Sequence, residues 1–168
     1  MDLGITIRKA RITDFRNICD VYQKAIEVMD SNHIPQWDAL YPTEDLLGYD
    51  ILASQMYIGE IDSQIASVFV LNQEYDPLYE NGDWKYQESS FMVVHRLCVN
   101  PLFQNRHVGT ETMLMLENML KEQGTQTVRL DAFSRNPFAL RMYEKLGYRK
   151  VGEAAWRKGL FYLYEKKL

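Results

Sequence analysis

The sequence contains little cysteine. Only two of its 168 residues are cysteines, Cys19 and Cys98, which are too few for a disulfide framework. They also show no metal-binding spacing. We therefore expect two free thiols in a reducing compartment, which indicates the cytoplasm, and we expect no metal cofactor.

Long apolar runs and excess positive charge are also absent. No stretch approaches the roughly 18 consecutive apolar residues of a membrane span, and the first residues lack the apolar segment of a signal peptide. The formal net charge is −4, so no overall positive field favours nucleic acid or an anionic membrane. We therefore expect neither as a partner.

The composition is that of a folded domain. Hydrophobic residues make up 46% of the chain and aromatic residues 12%, which is enough apolar material for a substantial core. No internal repeat, low-complexity tract or long linker interrupts the chain. We expect a single domain over residues 1–168.

Hydrophobic spacing and turn residues predict the element order β-α-α-β-β-β-α-β-α-β-β, a mixed α/β fold with helices covering a sheet. Residues 72–89 are polar and aromatic and are broken by proline and glycine, which predicts a long surface loop. The strands are predicted near 5–7, 56–61, 65–71, 91–99, 127–132, 148–152 and 161–164. The helices are predicted after Thr13-Asp14, after Thr43, and at 108–123 and 137–146.

The segment from residue 93 to residue 120 predicts a strand, a basic turn and an amphipathic helix. A helix N-terminus has unpaired amides and a partial positive charge, which together suit a pyrophosphate. Arg106 can add charge, and Gly109 allows close backbone approach. The alternative is a plain strand–loop–helix crossover. The Walker and GxGxxG patterns are absent, which disfavours P-loop NTPases and Rossmann dehydrogenases.

The sequence QNRHVG at 104–109 resembles the Q/R-x-x-G-x-G/A acyl-CoA loop of the GNAT N-acetyltransferases, and HRLCVNP before it resembles their fourth strand. The resemblance implies an acetyl-CoA site. One position departs from the family pattern, because His107 stands where the first loop glycine falls; we expect no left-handed residue to be needed there. The implied contacts are Leu97, Cys98 and Val99 along the pantetheine arm, and Gln104, Asn105, Arg106, His107, Val108, Gly109 and Thr110 around the phosphates.

A second motif lies after the fifth predicted strand. Asn136 is a good helix N-cap, Pro137 suits the first helical position and Gly147 suits the helix end. The pattern from Asn136 to Tyr148 is similar to the GNAT signature at this place. The resemblance implies that Asn136 contacts the pantetheine region and that Tyr143 binds the cofactor and protonates the departing thiolate. The alternative is that Tyr143 packs a helix onto the sheet.

Amine acetylation needs a base, because alkylamines are mostly protonated near neutral pH. His95 lies on the strand that enters the acyl-CoA loop, and histidine titrates near pH 6.5. Related GNATs place a glutamate on this strand, and none occurs between Phe91 and Val99. We therefore predict His95 as the base, with Glu60 and Glu74 as fallbacks. The alternative for His95 is a hydrogen-bonded structural histidine.

The segment between the first two predicted helices is rich in aromatic residues, and GNATs often build an acceptor wall there. We predict that Trp37 and Tyr41 bind the acceptor, with packing against the core as the alternative. Cys98 is predicted to be a small buried hydrophobic residue rather than an acetylated nucleophile.

The resemblance implies an acetyl-CoA-dependent N-acetyltransferase that acts by direct attack of an amine on the thioester. The acceptor, a small molecule or a peptide, is not identified. A non-catalytic GNAT-fold domain that binds or senses acyl-CoA is the alternative. The oligomeric state stays open, although a homodimer is common in the family.

Overall fold

The structure is a computed structural model that describes residues 2–87 and 89–168. The predicted element order is confirmed over this part of the chain. Three short 3₁₀ turns, Ile12–Asp14, Pro77–Asn81 and Pro101–Phe103, lie between the main elements. The strands are β1 (Thr6–Lys9), β2 (Met56–Ile61), β3 (Gln64–Asn72), β4 (Phe91–Val99), β5 (Thr127–Phe133), β6 (Arg149–Trp156) and β7 (Gly159–Lys167). The helices are α1 (Phe15–Ser31), α2 (Glu44–Leu52), α3 (Val108–Glu122) and α4 (Pro137–Lys145).

The strands form a mixed sheet in the order β1-β2-β3-β4-β5-β7-β6. Strands β4 and β5 are parallel, while β1–β2, β2–β3, β5–β7 and β6–β7 are antiparallel. The β2–β3 turn is formed by Asp62 and Ser63, both with positive φ (50° and 63°), as a two-residue type I′ hairpin turn requires. The mixed α/β prediction is therefore confirmed.

The residues that precede the first two helices make different contacts. Helix α2 begins after Thr43 as predicted, and the Thr43 side chain caps it by accepting a hydrogen bond from Leu46 N at 3.1 Å. Asp14 lies at the N-cap position of α1 but makes no side-chain cap. Its carboxylate instead pairs with the Arg8 guanidinium at 2.8 Å and accepts a hydrogen bond from Arg11 N at 2.7 Å. The charge-assisted pair with Arg8 has replaced the cap.

The chain divides into two compact units, one comprising the residues up to Leu71 with Arg96–Leu116, the other Asn72–His95 with Glu117–Leu168. The division falls within β4 and within α3. In the first unit, the apolar face of α1 is buried with residues of α2, β2 and β3. Its fully or almost fully buried members include Ile18, Tyr22, Leu47, Met56, Ile58, Val68 and Cys98.

The second unit has its own aromatic core, which corrects one prediction. Tyr79 and Trp84 come from the predicted surface loop 72–89, yet they are only 2% and 8% exposed. They pack with Val93, Ala154 and Leu163, and the indole Nε1 of Trp84 donates to Tyr79 O at 2.7 Å. Much of the loop is therefore anchored by its aromatic side chains. Position 88 of that predicted loop lies outside the described residues.

Candidate active site

Within strand β4, Arg96 has φ 51°. A non-glycine residue in this left-handed region departs from the regular pleat of a strand. The Tyr22 hydroxyl donates a hydrogen bond to Arg96 O at 2.6 Å. This contact, made from α1, holds the irregular segment in place immediately before Leu97.

The Arg96 side chain is fixed by α2 and by the segment before it. Its guanidinium donates to Asp50 through Nε (3.0 Å) and Nη2 (2.8 and 2.9 Å), and through Nη1 to the Tyr41 hydroxyl (3.0 Å). Asp50 is 1% exposed. Burial opposes the charge of Arg96, while Tyr41 and Asp50 favour it, and the pKa of Arg96 is raised overall. Tyr41 is thereby tied to the residue that precedes the predicted cofactor strand.

The side chains after Arg96 are packed against the core of the first unit. Cys98 is 3% exposed and belongs to the cluster that includes Ile18 and Tyr22, whereas Val99 packs with Phe103 and Val108. Burial raises the pKa of the Cys98 thiol, so it stays protonated near neutral pH and is a poor nucleophile. A pantetheine arm at this strand would therefore have to use main-chain groups rather than these side chains.

The predicted phosphate loop is an exposed turn that leads directly into α3. Gln104, Asn105, Arg106 and His107 are exposed, and α3 begins at Val108. The bond from Glu111 N to His107 O is 3.0 Å. The amides of positions 108–110 precede that bond and therefore belong to the unpaired first turn of the helix. Their N–H groups and the helix dipole suit a phosphate.

His107 has φ 61°, and Asn105 has φ 60°. Asparagine tolerates this left-handed region because its short side chain can bond locally, whereas other non-glycine residues are strained there. The expectation that no left-handed residue is needed at His107 is therefore wrong. Glycine adopts such a conformation without strain, whereas this chain turns left-handed into the helix with histidine.

The start of α3 is anchored to β3. The Thr112 and Ser67 hydroxyls, both fully buried, are hydrogen bonded at 2.8 Å. Val108 is 1% exposed and packs with Phe103 and Ala66. These contacts fix the position of the first turn of α3, and therefore the positions of its unpaired backbone amides.

In the second unit, α4 begins as its sequence predicts. The Asn136 side-chain oxygen accepts from Ala139 N at 3.2 Å, and Pro137 occupies the first helical position. After the helix, Gly147 has φ 93°, which glycine adopts without strain. Asn136 thus has the structural role that its type predicts, in addition to any contact with a cofactor.

Tyr143 is buried on α4 at 7% exposure, with its ring 5.7 Å from Tyr148 and 6.2 Å from Tyr164. Burial, reinforced by the negative charge of Asp131, raises the pKa of Tyr143. The Asp131 carboxylate itself accepts a 2.6 Å hydrogen bond from the Tyr79 hydroxyl. The phenol of Tyr143 therefore keeps its proton near neutral pH and can act as a hydrogen-bond donor.

His95 is half-buried near the middle of β4. Its Nε2 lies 2.7 Å from Oδ1 of Asn72, the last residue of β3. The fallback base Glu60 pairs with Arg8 Nη2 at 2.8 Å in the first unit. The fallback base Glu74 is exposed, and its backbone N–H donates to Asn72.

The two predicted acceptor residues have different surroundings. Trp37 is 7% exposed and lies in the core with its ring 5.5 Å from that of Tyr22. Tyr41 is 38% exposed. Trp37 therefore has the surroundings expected of a packing residue, while Tyr41 has surface available for a ligand.

Several residues that shape these groups were missed by the sequence analysis. Asp131 interrupts the apolar strand VRLDAF, and Asp50 lies on the buried side of α2. Either position could have been noticed, because an acid at a core position is usually paired. The left-handed conformation of Arg96 carries no comparable signal in the sequence.

Among residues 2–87 and 89–168, no cluster of three or more His, Cys, Asp or Glu side chains is placed to hold a metal ion. No helix among these described residues is both long enough and apolar enough to cross a membrane.

Comparisons with solved structures agree on the fold. A GNAT-family acetyltransferase from Streptococcus agalactiae 2603 is 20% identical with a TM-score of 0.86, covering 98% of this chain and 96% of that one. One from Listeria monocytogenes 4b F2365 is 20% identical with a TM-score of 0.78, covering 100% and 99%. The PaiA N-acetyltransferase of Thermoplasma acidophilum, in complex with coenzyme A, is 19% identical with a TM-score of 0.72, covering 98% and 99%.

No protein of curated function matches the sequence significantly. The model of the family described as Acetyltransferase (GNAT) family matches residues 21–148. This range is well over half of the chain and contains both motifs found in the sequence, so the protein belongs to the GNAT acetyltransferase family.

Proposed function

We propose that this protein is an N-acetyltransferase that moves the acetyl group of acetyl-CoA to a primary amine of a small molecule or peptide. The observation that carries the proposal is the loop 104–107, whose left-handed turns lead into the first-turn amides of α3 in a GNAT domain. These donors suit the diphosphate of coenzyme A. Arg106 is exposed beside them and can add positive charge.

The cofactor-binding residues proposed are those that the family resemblance implies. Main-chain groups of Leu97, Cys98 and Val99 would accompany the pantetheine arm, and Asn136 would contact it. The residues Gln104, Asn105, Arg106, His107, Val108, Gly109 and Thr110 would surround the phosphates. The coenzyme supplies a thioester, whose carbonyl carbon is open to attack by an amine.

The reaction proposed is direct transfer. The amine nitrogen bonds to the thioester carbonyl carbon, the carbon–sulfur bond breaks, and the sulfur leaves as a thiolate. A covalent route through Cys98 is disfavoured because its thiol is buried and its pKa is raised. His95 takes the proton that the amine loses, directly or through water.

Tyr143 is proposed to stabilise the leaving thiolate. Because its pKa is raised, the phenol is a weaker acid than a thiol, whose ordinary pKa is near 8.5. Tyr143 therefore acts first by donating a hydrogen bond to sulfur as negative charge develops, and complete proton transfer to the thiolate comes from water or accompanies product release. A positioned donor of this kind contributes roughly 10²–10⁴-fold.

The acceptor side is proposed to include Tyr41, which is partly exposed and fixed by Arg96. Trp37 would support this segment from the core. Both cysteines are free thiols, which fits the cytoplasmic setting that the sequence predicts.

The proposal is tested by thiol release from acetyl-CoA against a panel of polyamines, amino acids and short peptides with free N-termini. We expect release above the enzyme-free rate with at least one class of amine. Tyr143→Phe should lower kcat about 10²-fold or more, whereas Tyr49→Phe, at an exposed tyrosine of α2, should not. Binding of acetyl-CoA without release with any amine would favour the acyl-CoA-sensing alternative.

A further inference from the structure

Arg129, in the middle of β5, is a buried cation without a hydrogen-bond partner. Its side chain is 7% exposed, and its Nε atom is buried with no acceptor. Among residues 2–87 and 89–168, no hydrogen bond or ion pair joins the guanidinium to another residue. Arginine is rarely buried to this extent unless it is paired. The fold therefore holds a positive charge for which it supplies no hydrogen-bond acceptor.

Two aromatic rings contact the guanidinium of Arg129. Its Cζ atom lies over the Phe91 ring, 4.1 Å from the centroid, and over the Trp84 ring, 4.7 Å from the centroid. The Trp84 indole is itself fixed by its 2.7 Å hydrogen bond to Tyr79 O. Ring contacts stabilise a guanidinium through its faces and leave the N–H groups at its edge able to donate. Burial still lowers the pKa of Arg129, so the rings do not fully offset its desolvation.

The acid that acts on Arg129 is Glu165, its partner in the β5–β7 register. Glu165 is 1% exposed, and its Oε1 accepts a hydrogen bond from Lys85 N at 2.6 Å. Its Oε2 is buried without a partner, and within the described part of the chain Glu165 forms no ion pair with Arg129. The backbone at Lys85 therefore holds this carboxylate, and the guanidinium is left to another oxyanion.

The guanidinium of Arg129 reaches solvent beside an exposed ring. Of its three nitrogens only Nε is buried without a partner, so Nη1 and Nη2, which have no partner among the described residues, retain contact with water. Tyr75 is close enough to influence the pKa of Arg129, and its ring lies 6.0 Å from that of Phe91. Tyr75 is 47% exposed and stacks on the buried Tyr79 at 5.6 Å. A ligand at Nη1 and Nη2 would therefore have a fixed aromatic surface beside it.

We propose that Arg129 and Tyr75 form a binding site for an organic carboxylate with an aromatic or apolar body. The two terminal nitrogens of a guanidinium match the two oxygens of a carboxylate, and the rings of Tyr75 and Phe91 supply apolar surface. A phosphate dianion fits less well, because it has no apolar body and Glu165 opposes a second negative charge. None of these residues is assigned to acetyl-CoA or to the acceptor amine, so the site is additional to the proposed function.

Titration of the full chain with benzoate tests the site, with benzamide as the uncharged analogue. Nitrogen-15 correlation spectra follow the Nε–H signal of Arg129, which is assigned with Arg129→Lys, and the exposed Arg141 is the internal control. We expect a saturable shift of the Arg129 signal with benzoate and an affinity at least about tenfold lower for benzamide, since hydrogen bonds to charged groups are stronger than neutral ones. No shift at Arg129, equal affinities for the two compounds, or an equal shift at Arg141 would overturn the proposal.

Arg129→Lys separates the planar pair of donors from the positive charge. Lysine keeps the charge but cannot bind a carboxylate with two parallel hydrogen bonds, so calorimetry should show an affinity for benzoate about fivefold lower or more. The matched control Arg141→Lys, at an exposed arginine of α4, should leave the affinity unchanged. An unchanged affinity in a folded Arg129→Lys would overturn the proposal. If this variant folds poorly, the comparison of benzoate with benzamide on the wild type still decides.

Tyr75→Ser tests the apolar part of the site at an exposed position. The affinity for benzoate should fall about threefold or more, whereas that for acetate, which has no ring to contact Tyr75, should change less than about twofold. Equal losses for both would remove Tyr75 from the site. Inorganic phosphate should bind the wild type at least about tenfold more weakly than benzoate, because it buries no apolar surface. Phosphate binding as tight as benzoate binding would overturn the proposed ligand class.

Discussion

Arg96 and Asp50 form a bidentate ion pair with nitrogen–oxygen distances of 2.8 to 3.0 Å, in a setting where Asp50 is 1% exposed. The pair connects α2 to a residue of β4 that has left-handed backbone geometry. Tyr22 holds the carbonyl of the same residue. Side chain and main chain of Arg96 are therefore fixed together, which explains how the strand keeps its irregular shape.

Asp50→Ala should destabilise the protein by about 3–5 kcal/mol, because it leaves a buried guanidinium without its carboxylate. The loss is measured as the change in the free energy of unfolding, obtained by urea titration. Asp20→Ala removes an exposed carboxylate from α1 and should change it by no more than about 0.5 kcal/mol. A loss below about 1 kcal/mol for Asp50→Ala would show that water or a neighbour replaces the carboxylate.

His107→Gly should be more stable than His107→Ala by about 1 kcal/mol, since φ 61° is strained for alanine and not for glycine. Both variants remove the imidazole, so their difference isolates the backbone. At this chain length the gap corresponds to about 2–4 °C in Tm. Equal Tm values would indicate that the loop turns differently in solution.

The loop illustrates what the sequence could and could not predict. The motif places the loop and helix correctly because its residues determine where α3 starts. The strain at His107 could not be inferred, since a family pattern states which residue is usual and not which dihedral angle the chain adopts. The ends of β6 and β7 were also missed: the strands run to Trp156 and Lys167, well beyond their apolar centres, because pairing with β5 and with each other extends through polar residues.

The prediction of a surface loop at residues 72–89 was partly wrong for a different reason. A polar segment with proline and glycine predicts solvent exposure, and most of its residues are indeed exposed. Tyr79 and Trp84 are buried because β6 and β7 offer them an apolar surface, and such a partner is distant in sequence. His95 and Asn72 show the same limit, since 23 positions separate them and only the β3–β4 connection brings them within 2.7 Å.

A further prediction concerns Gly152 on β6. A Cβ there would lie 2.8 Å from Asn81 O and 2.9 Å from Gly82 Cα, both of them backbone atoms. Gly152→Ala should therefore cost about 1–3 kcal/mol of stability. Gly48→Ala is the matched control in α2, where the nearest atom, on Phe15, is 3.8 Å away; it should stabilise by about 0.5–1 kcal/mol. A neutral Gly152→Ala would mean that the 81–82 turn moves freely.

Because the pKa of Tyr143 is raised, we expect the free energy of unfolding to fall at alkaline pH. Above about pH 10 the unfolded chain loses this proton while the native protein keeps it, so the unfolded state binds fewer protons and stability falls as pH rises. Below about pH 10 the stability that the raised pKa of Tyr143 contributes is fully present. Tyr143→Phe should reduce the slope of unfolding free energy against pH by up to about 1.4 kcal/mol per unit between about pH 10 and 11. An unchanged slope would show that the hydroxyl is hydrated.

Coenzyme binding tests the central claim most directly. Thermal unfolding should be followed with acetyl-CoA, coenzyme A and ATP, each at about 100 times the dissociation constant expected for a cofactor. Both coenzymes should stabilise the protein by about 2.7 kcal/mol, or about 5–10 °C in Tm at this chain length, and ATP should give a much smaller shift. No shift with coenzyme A at millimolar concentration would contradict the phosphate-loop assignment and the acetyltransferase proposal that depends on it.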